Sequence, residues 1–171
     1  MKTTNFTTSA LAACVLAMGT PANAGDAIEK AGDILQVVLP LAAAVCAQRN
    51  DDLAAYSGRF AGQLVTTYAF KYGLGSRQIN QRPNGASRGF PSSHTAAAVY
   101  GASYLSRNCL ETGGQKALVY GLAAFVGGSR IHANKHTVAQ VAAGALVGYM
   151  FDNVSVGFTD NSVSVGWRLE F

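Results

Sequence analysis

Three segments of this chain, roughly 93–107, 114–128 and 137–151, are rich in alanine and glycine at helical spacing and are separated by polar loops. Helices with such small side chains let their backbones approach closely, so they call for one another as packing partners. That requirement points to a mainly α protein. Two further helices are expected ahead of them. Residues 26–48 set Ile28, Ile34, Val37, Val38, Leu41 and Val45 at helical spacing. Asp26, Glu29 and Asp33 stand at the end where the helix dipole favours negative charge. Pro40 predicts a kink in this helix. A second helix covers 52–72 and is ended by Gly73 and Gly75. The expected architecture is a helical bundle of about five helices.

The two ends of the chain differ from this body. "MKTTNFTTSALAACVLAMGTPANA", residues 1–24, has a lysine, a short apolar run and a small-x-small close, the pattern of a secretory signal. The mature domain is then 25–171, carried across the inner membrane to a periplasmic or membrane-associated place. Cys14 leaves with the signal, and Cys46 and Cys109 remain either as a disulfide in an oxidising compartment or as two separate buried cysteines. At the other end the period changes to two: Val163, Val165, Trp167, Leu169 and Phe171 alternate with polar or small residues. This predicts a short C-terminal β-hairpin at about 153–171, packed on the helices. The uncharged runs 34–48, 89–106, 117–129 and 136–151 are each shorter than the ~20 apolar residues of a typical span. A periplasmic or membrane-surface bundle and a thin integral one both stay open.

Charge narrows the function. Between Leu53 and Phe151 the only acid is Glu111, against Arg59, Lys71, Arg77, Arg82, Arg88, Arg107, Lys116, Arg130 and Lys135. A region so basic calls for an anion. Nucleic acid fits poorly, because these residues lie in glycine loops and at helix starts without an aromatic stacking face. Three clusters concentrate the chemistry: "KYGLGSRQINQRPNG" at 71–85, "GFPSSHTAAA" at 89–98 and "GGSRIHANKHTVAQ" at 127–140. The second and third place Ser, Arg or His at expected helix starts, where unpaired N–H groups and the dipole favour anions. Arg82 and Arg130 would complete an oxyanion cradle, since the guanidinium fork suits phosphate oxygens. His132 and His136 also have a zinc-ligand spacing, with His94 as a third ligand. Ala133 stands where a zinc protease helix carries its glutamate, however, and Arg130 and Lys135 would repel a dication. No metal is expected.

In this order the clusters resemble the three-part signature of the type 2 phosphatidic acid phosphatase and vanadium haloperoxidase superfamily. Arg82-Pro83 matches the end of its first part, Pro91-Ser92-Ser93-His94 its second in three of four positions, and Ser129-Arg130 with His136 its third. The resemblance implies a phosphatase acting on phosphomonoesters or lipid phosphates through a phosphohistidine, with no cofactor. His136 would be the nucleophile and His94 the acid and base. Lys71, Arg82, Ser92, Ser93 and Arg130 would bind the phosphate oxygens. Arg77, Arg88 and Lys135 are expected to be solvated. Haloperoxidase activity belongs to the same superfamily.

Three positions depart from the signature. Gly75 stands where the first lysine belongs, so Lys71 serves only if the loop carries four extra residues, and Arg77 is the substitute. Ser93 replaces the motif glycine. Gln140 replaces the aspartate that supports the nucleophile. An amide oxygen can fix the tautomer of His136 but cannot stabilise an imidazolium as a carboxylate does. The readings are a working phosphatase with altered support, a slow one, or a phosphate-binding relic, and the enzyme is favoured. A carboxylate from elsewhere, such as Glu111 or Asp152, would restore the missing charge.

Overall fold

In the computed structural model, residues 24–159 and 162–167 are described, with side chains through Val154. The expected signal segment, apart from Ala24, lies outside the described residues. Five helices follow: α1 Ala24–Arg49, α2 Leu53–Gly73, α3 Ser93–Asn108, α4 Gly113–His132 and α5 Val138–Asn153. A single 3₁₀ turn, Gln78–Asn80, interrupts the long loop between α2 and α3. Helix α1 runs unbroken through Pro40 and is long and apolar enough to cross a membrane by length and composition. After α5, backbone strands β1 Val154–Thr159 and β2 Ser162–Trp167 pair antiparallel. The alternation of side chains expected there, and residues 168–171, fall outside the described residues, and the fold rests on the five helices.

Each helix of the second half starts on a local signal. Ser92 caps α3 by accepting from the Thr95 N–H. Thr112 with Gln115, and Thr137 with Gln140, form capping boxes at the starts of α4 and α5. Reciprocal bonds of this kind satisfy N–H groups that have no partner inside the helix.

Helix α3 is the centre, touching all four others. Its length from Thr95 to Ser106 is buried except for Val99. Glycine allows this closeness. A Cβ at Gly101 would meet the Leu39 carbonyl carbon and the Pro40 nitrogen of α1 at 2.5 Å. Gly148 and Gly144 of α5 lie likewise against the Ala96 and Ser92 carbonyls. The small-residue pattern is therefore a set of backbone contacts, with Leu39, Ala43, Tyr56, Tyr100, Tyr104 and Val126 filling the remaining core. Cys46 and Cys109 are joined as a disulfide that ties α1 to the end of α3, with Cα atoms 6.4 Å apart. Arg107 and the buried Asp152 link α3 to α5 at 2.8 Å.

Close packing makes a sign-changing prediction. Gly101→Ala should lower unfolding free energy by about 1–3 kcal/mol, because the added methyl has only backbone to meet. Nothing lies within 4 Å of a Cβ at Gly121 in α4. Gly121→Ala should raise stability by about 0.5–1 kcal/mol through helix propensity alone. Urea unfolding of both variants measures the difference.

Candidate active site

The loop from α2 to α3 and the turn from α4 to α5 join α1, α2 and α3 in lining an open cavity of ≈ 770 Å³. Its polar end is lined by Lys71, Arg82, Arg88, Ser93, His94 and His136. Residues from all three sequence clusters thus meet in one place.

Lys71 is buried on the last turn of α2 and donates from Nζ to the Arg88 carbonyl at 2.9 Å. Burial first, and then the Arg82 charge, press its pKa down to about 8. The intervening turn and 3₁₀ segment absorb the four extra residues, and Arg77 is exposed and does not line the cavity. Arg88, expected to be solvated, is instead part of the rim. Its φ of 63° lies in the left-handed region, which non-glycine residues rarely occupy. Lys71 and Arg82 both donate to its carbonyl, and its guanidinium lies 4.5 Å from the centre of the Tyr72 ring. The Nε of Arg82 is buried without a hydrogen-bond partner.

His136 is 3 % exposed, in the turn just before α5. Its Nδ1 lies 3.1 Å from Gln140 Oε1. The orientation of that amide follows from its surroundings. Gln140 Nε2 donates to the Ile79 carbonyl at 2.9 Å and the Gln81 carbonyl at 2.7 Å. Two carbonyls can only accept, so the NH₂ must face them and the oxygen must face His136 and the Thr137 N–H. An acceptor at Nδ1 places the ring proton there and leaves Nε2 with its lone pair. Burial, with Arg82 and Lys71, pushes the pKa of His136 down to about 4, so the ring is neutral at neutral pH.

Three expected residues do not line the cavity. Ser92 is fully buried as the α3 cap; its Oγ accepts from Thr95, and its N–H donates to the Gln140 carbonyl at 2.9 Å. Gln140 supports His136 from behind. Arg130 corrects the reading of a pre-helical anion site: it lies on the last turn of α4, where the dipole end favours cations. It is 2 % exposed and faces α1, donating from Nη1 to Asp33 Oδ1 at 2.7 Å, from Nη2 to the Glu29 carbonyl at 2.6 Å and from Nε to Ser129 Oγ at 3.2 Å. Asp33 also receives His94 Nε2 at 3.1 Å. Sequence reasoning placed Asp33 at a helix end and missed this second partner; its spacing of four from Glu29, which puts both acids on one helical face, was the available signal.

The zinc spacing does not survive the geometry. His132 is the last residue of α4, and Asn134 with φ 53° turns the chain before His136, so the two are not successive turns of one helix. Among the described residues no group of three or more His, Cys, Asp or Glu gathers for a metal. Asp152 bonds Ser103 and Arg107 and does not reach His136.

The carbonyls facing Gln140 predict the effect of restoring a carboxylate. Gln140→Glu should destabilise the fold by on the order of 3 kcal/mol at pH 7, since two buried carbonyls lose donors and face a charge. Its folded-state pKa would be raised, so the loss should be smallest below the unfolded value, where the neutral acid leaves one carbonyl without a donor, and grow as pH rises through it, checked by thermal melts at pH 4 and 7.

The comparison with curated proteins and the comparison with solved structures each give no match. The family model of the PAP2 superfamily matches residues 34–164, a span that runs from within α1 to the second strand and includes Lys71, Arg82, His94, Arg130 and His136. Membership of that family implies phosphatase activity on phosphate esters or lipid phosphates. With most of its length inside the match and all three motif clusters converging at one end of the bundle, the chain belongs to the PAP2 superfamily.

Proposed function

We propose that this protein hydrolyses phosphomonoesters carried on an apolar chain, outside the cytoplasm, through a phosphohistidine. The observation that carries the reading is His136: a neutral ring whose Nδ1 is held by Gln140, leaving the lone pair of Nε2 beside Lys71 and Arg82. Nε2 attacks phosphorus; the N–P bond forms as the ester P–O bond breaks, and the leaving oxygen takes a proton from His94. Water then attacks the phosphohistidine, gives its proton to His94, and inorganic phosphate leaves as the P–N bond breaks. Lys71 and Arg82, with the first N–H groups of α3, hold the non-bridging oxygens, where the growing charge is greatest. The buried, unpartnered Nε of Arg82 is a donor awaiting such an oxygen.

Beyond the polar end, the same cavity continues between α1 and α2 along Val37, Leu41, Phe60, Leu64 and Tyr68. A lipid or alkyl tail fits that chemistry. The Cys46–Cys109 disulfide supports an oxidising compartment, and exposed Val37, Leu41, Val45 and Tyr68 support contact with a membrane surface. A second reading, a weakened phosphate-binding relative, is favoured by one feature: among the described residues no carboxylate bonds His136.

Purified mature protein should release phosphate from an aryl phosphate without added metal, and His136→Ala should abolish release. The acid limb of kcat/KM should lie near pH 4, the pKa of the free nucleophile, with activity lost below it as His136 protonates. Across alkyl phosphates kcat/KM should rise roughly three- to fourfold per methylene taken up by the groove. Ala61→Trp, on the groove wall, should flatten that rise. Equal inactivity of wild type and His136→Ala over a panel including lipid phosphates would end the enzyme reading; vanadate raising the melting temperature without turnover would then support the binding one.

A further inference from the structure

The structure assigns to Asp33 a role as the positioning residue of His94, anchored in turn by Arg130. The inference rests on the phosphatase reading for its catalytic consequence, and on geometry for the rest. A single carboxylate oxygen, Asp33 Oδ1, takes His94 Nε2 at 3.1 Å and Arg130 Nη1 at 2.7 Å. The three residues come from three helices, α1, α3 and α4. Neither Asp33 nor Arg130 lines the cavity, whereas His94 does. The carboxylate therefore bonds His94 from outside the cavity lining.

Its own position is firmly set. Arg130 is also bound to the Glu29 carbonyl one helical turn earlier, and Glu29 Oε1 lies 3.4 Å from Lys135 Nζ. Gly32, next to Asp33, packs directly on Ser129 and on the Arg130 guanidinium, so a side chain there would push α1 away. The first half of α1 is thus held over the end of α4 by backbone contact as well as by charge.

This arrangement has a chemical consequence. With Nε2–H donated to Asp33, the proton that moves during the reaction is the one on Nδ1. Charged groups act on His94 from three of the four helices packed on α3: Asp33 from α1, Lys71 from α2 and Arg130 from α4. Burial, then Arg130, lowers its pKa, and Asp33 is the group that opposes them. The site thus places its carboxylate on the acid–base histidine, and an amide on the nucleophile. A nucleophile must stay neutral; a general acid must be able to hold its proton.

Asp33→Asn in the mature protein tests this, since it keeps the shape and removes the charge. The expected result is a fall in kcat of roughly 10²-fold, the scale of one acid–base group, with KM changed by no more than about threefold, as for a group acting only in the transition state. The alkaline limb of kcat, where His94 loses its proton, should move to lower pH. In the phosphate-free protein the His94 imidazole, followed by NMR, should titrate about one unit lower than in wild type. Asp33→Glu keeps the charge and should retain the wild-type alkaline limb; its loss in both variants would overturn the assignment to charge. Unchanged kcat and an unchanged His94 titration would overturn the proposal. So would higher activity with tighter vanadate binding, which would make Asp33 a competitor of the substrate. If wild type shows no turnover, the phosphatase reading fails, and the NMR titration still decides whether Asp33 holds this ring.

Discussion

One side-chain amide joins the three parts of the site. Gln140 donates to the Ile79 and Gln81 carbonyls of the first loop, accepts from His136 Nδ1 in the third, and through its backbone carbonyl receives the Ser92 N–H of the second. Gly89 completes the arrangement, because a Cβ there would lie 2.5 Å from the amide nitrogen. Every polar atom of this buried group is matched, and each match fixes the next. The orientation of the amide decides which nitrogen of His136 carries the proton, and so which one keeps its lone pair. A carboxylate at this position would have left two buried carbonyls without donors. The glutamine is therefore a coherent solution within this loop.

Electrostatics divide the site into two halves. On one side Lys71, Arg82 and Arg88 line the cavity with His136, with no acid bonded to them among the described residues, and both Lys71 and His136 are driven toward their neutral forms. Such crowding costs stability in the empty protein and is relieved by an anion, the usual exchange of stability for function at a binding site. On the other side Asp33 and Glu29 of α1 neutralise Arg130 and Lys135. Helix α1 thus contributes to the site as well as to the core, and its Val37 and Leu41 form one wall of the apolar groove that begins at the phosphate end.

The helices themselves were legible in the sequence. Ala/Gly-rich periodicity and the glycines at the end of α2 mark elements that local chemistry largely decides, and the structure adds the Ser92, Thr112 and Thr137 caps at the starts of α3, α4 and α5. The motif clusters were legible as well, and Lys71, Arg82, Ser93, His94 and His136 all reach the cavity. Less visible were residues whose role depends on a neighbour distant in sequence. Asp33 lies 61 positions before His94 and 97 before Arg130, and from local pattern alone it was a dipole-favoured acid at a helix end. Arg88 looked like a solvated loop residue until Tyr72 and Lys71 gave it partners. Arg130 was read as standing just before or at a helix start, yet it lies on the last turn of α4, which continues to His132.

The sequence by itself determined that this chain would be a tight helical bundle carrying the motif clusters of its family, because helical period, small residues and motif spacing act over a few residues. Tertiary structure decided which charges meet. It turned Gln140 from an apparent defect into the joint of three loops, since only the folded chain shows the two carbonyls that need its NH₂. It also placed the site's carboxylate on His94, because the packing of Gly32 against Ser129 brings α1 within bonding distance of α3 and α4. Hydrogen-bond partners fixed by packing have no signature in the local order of residues.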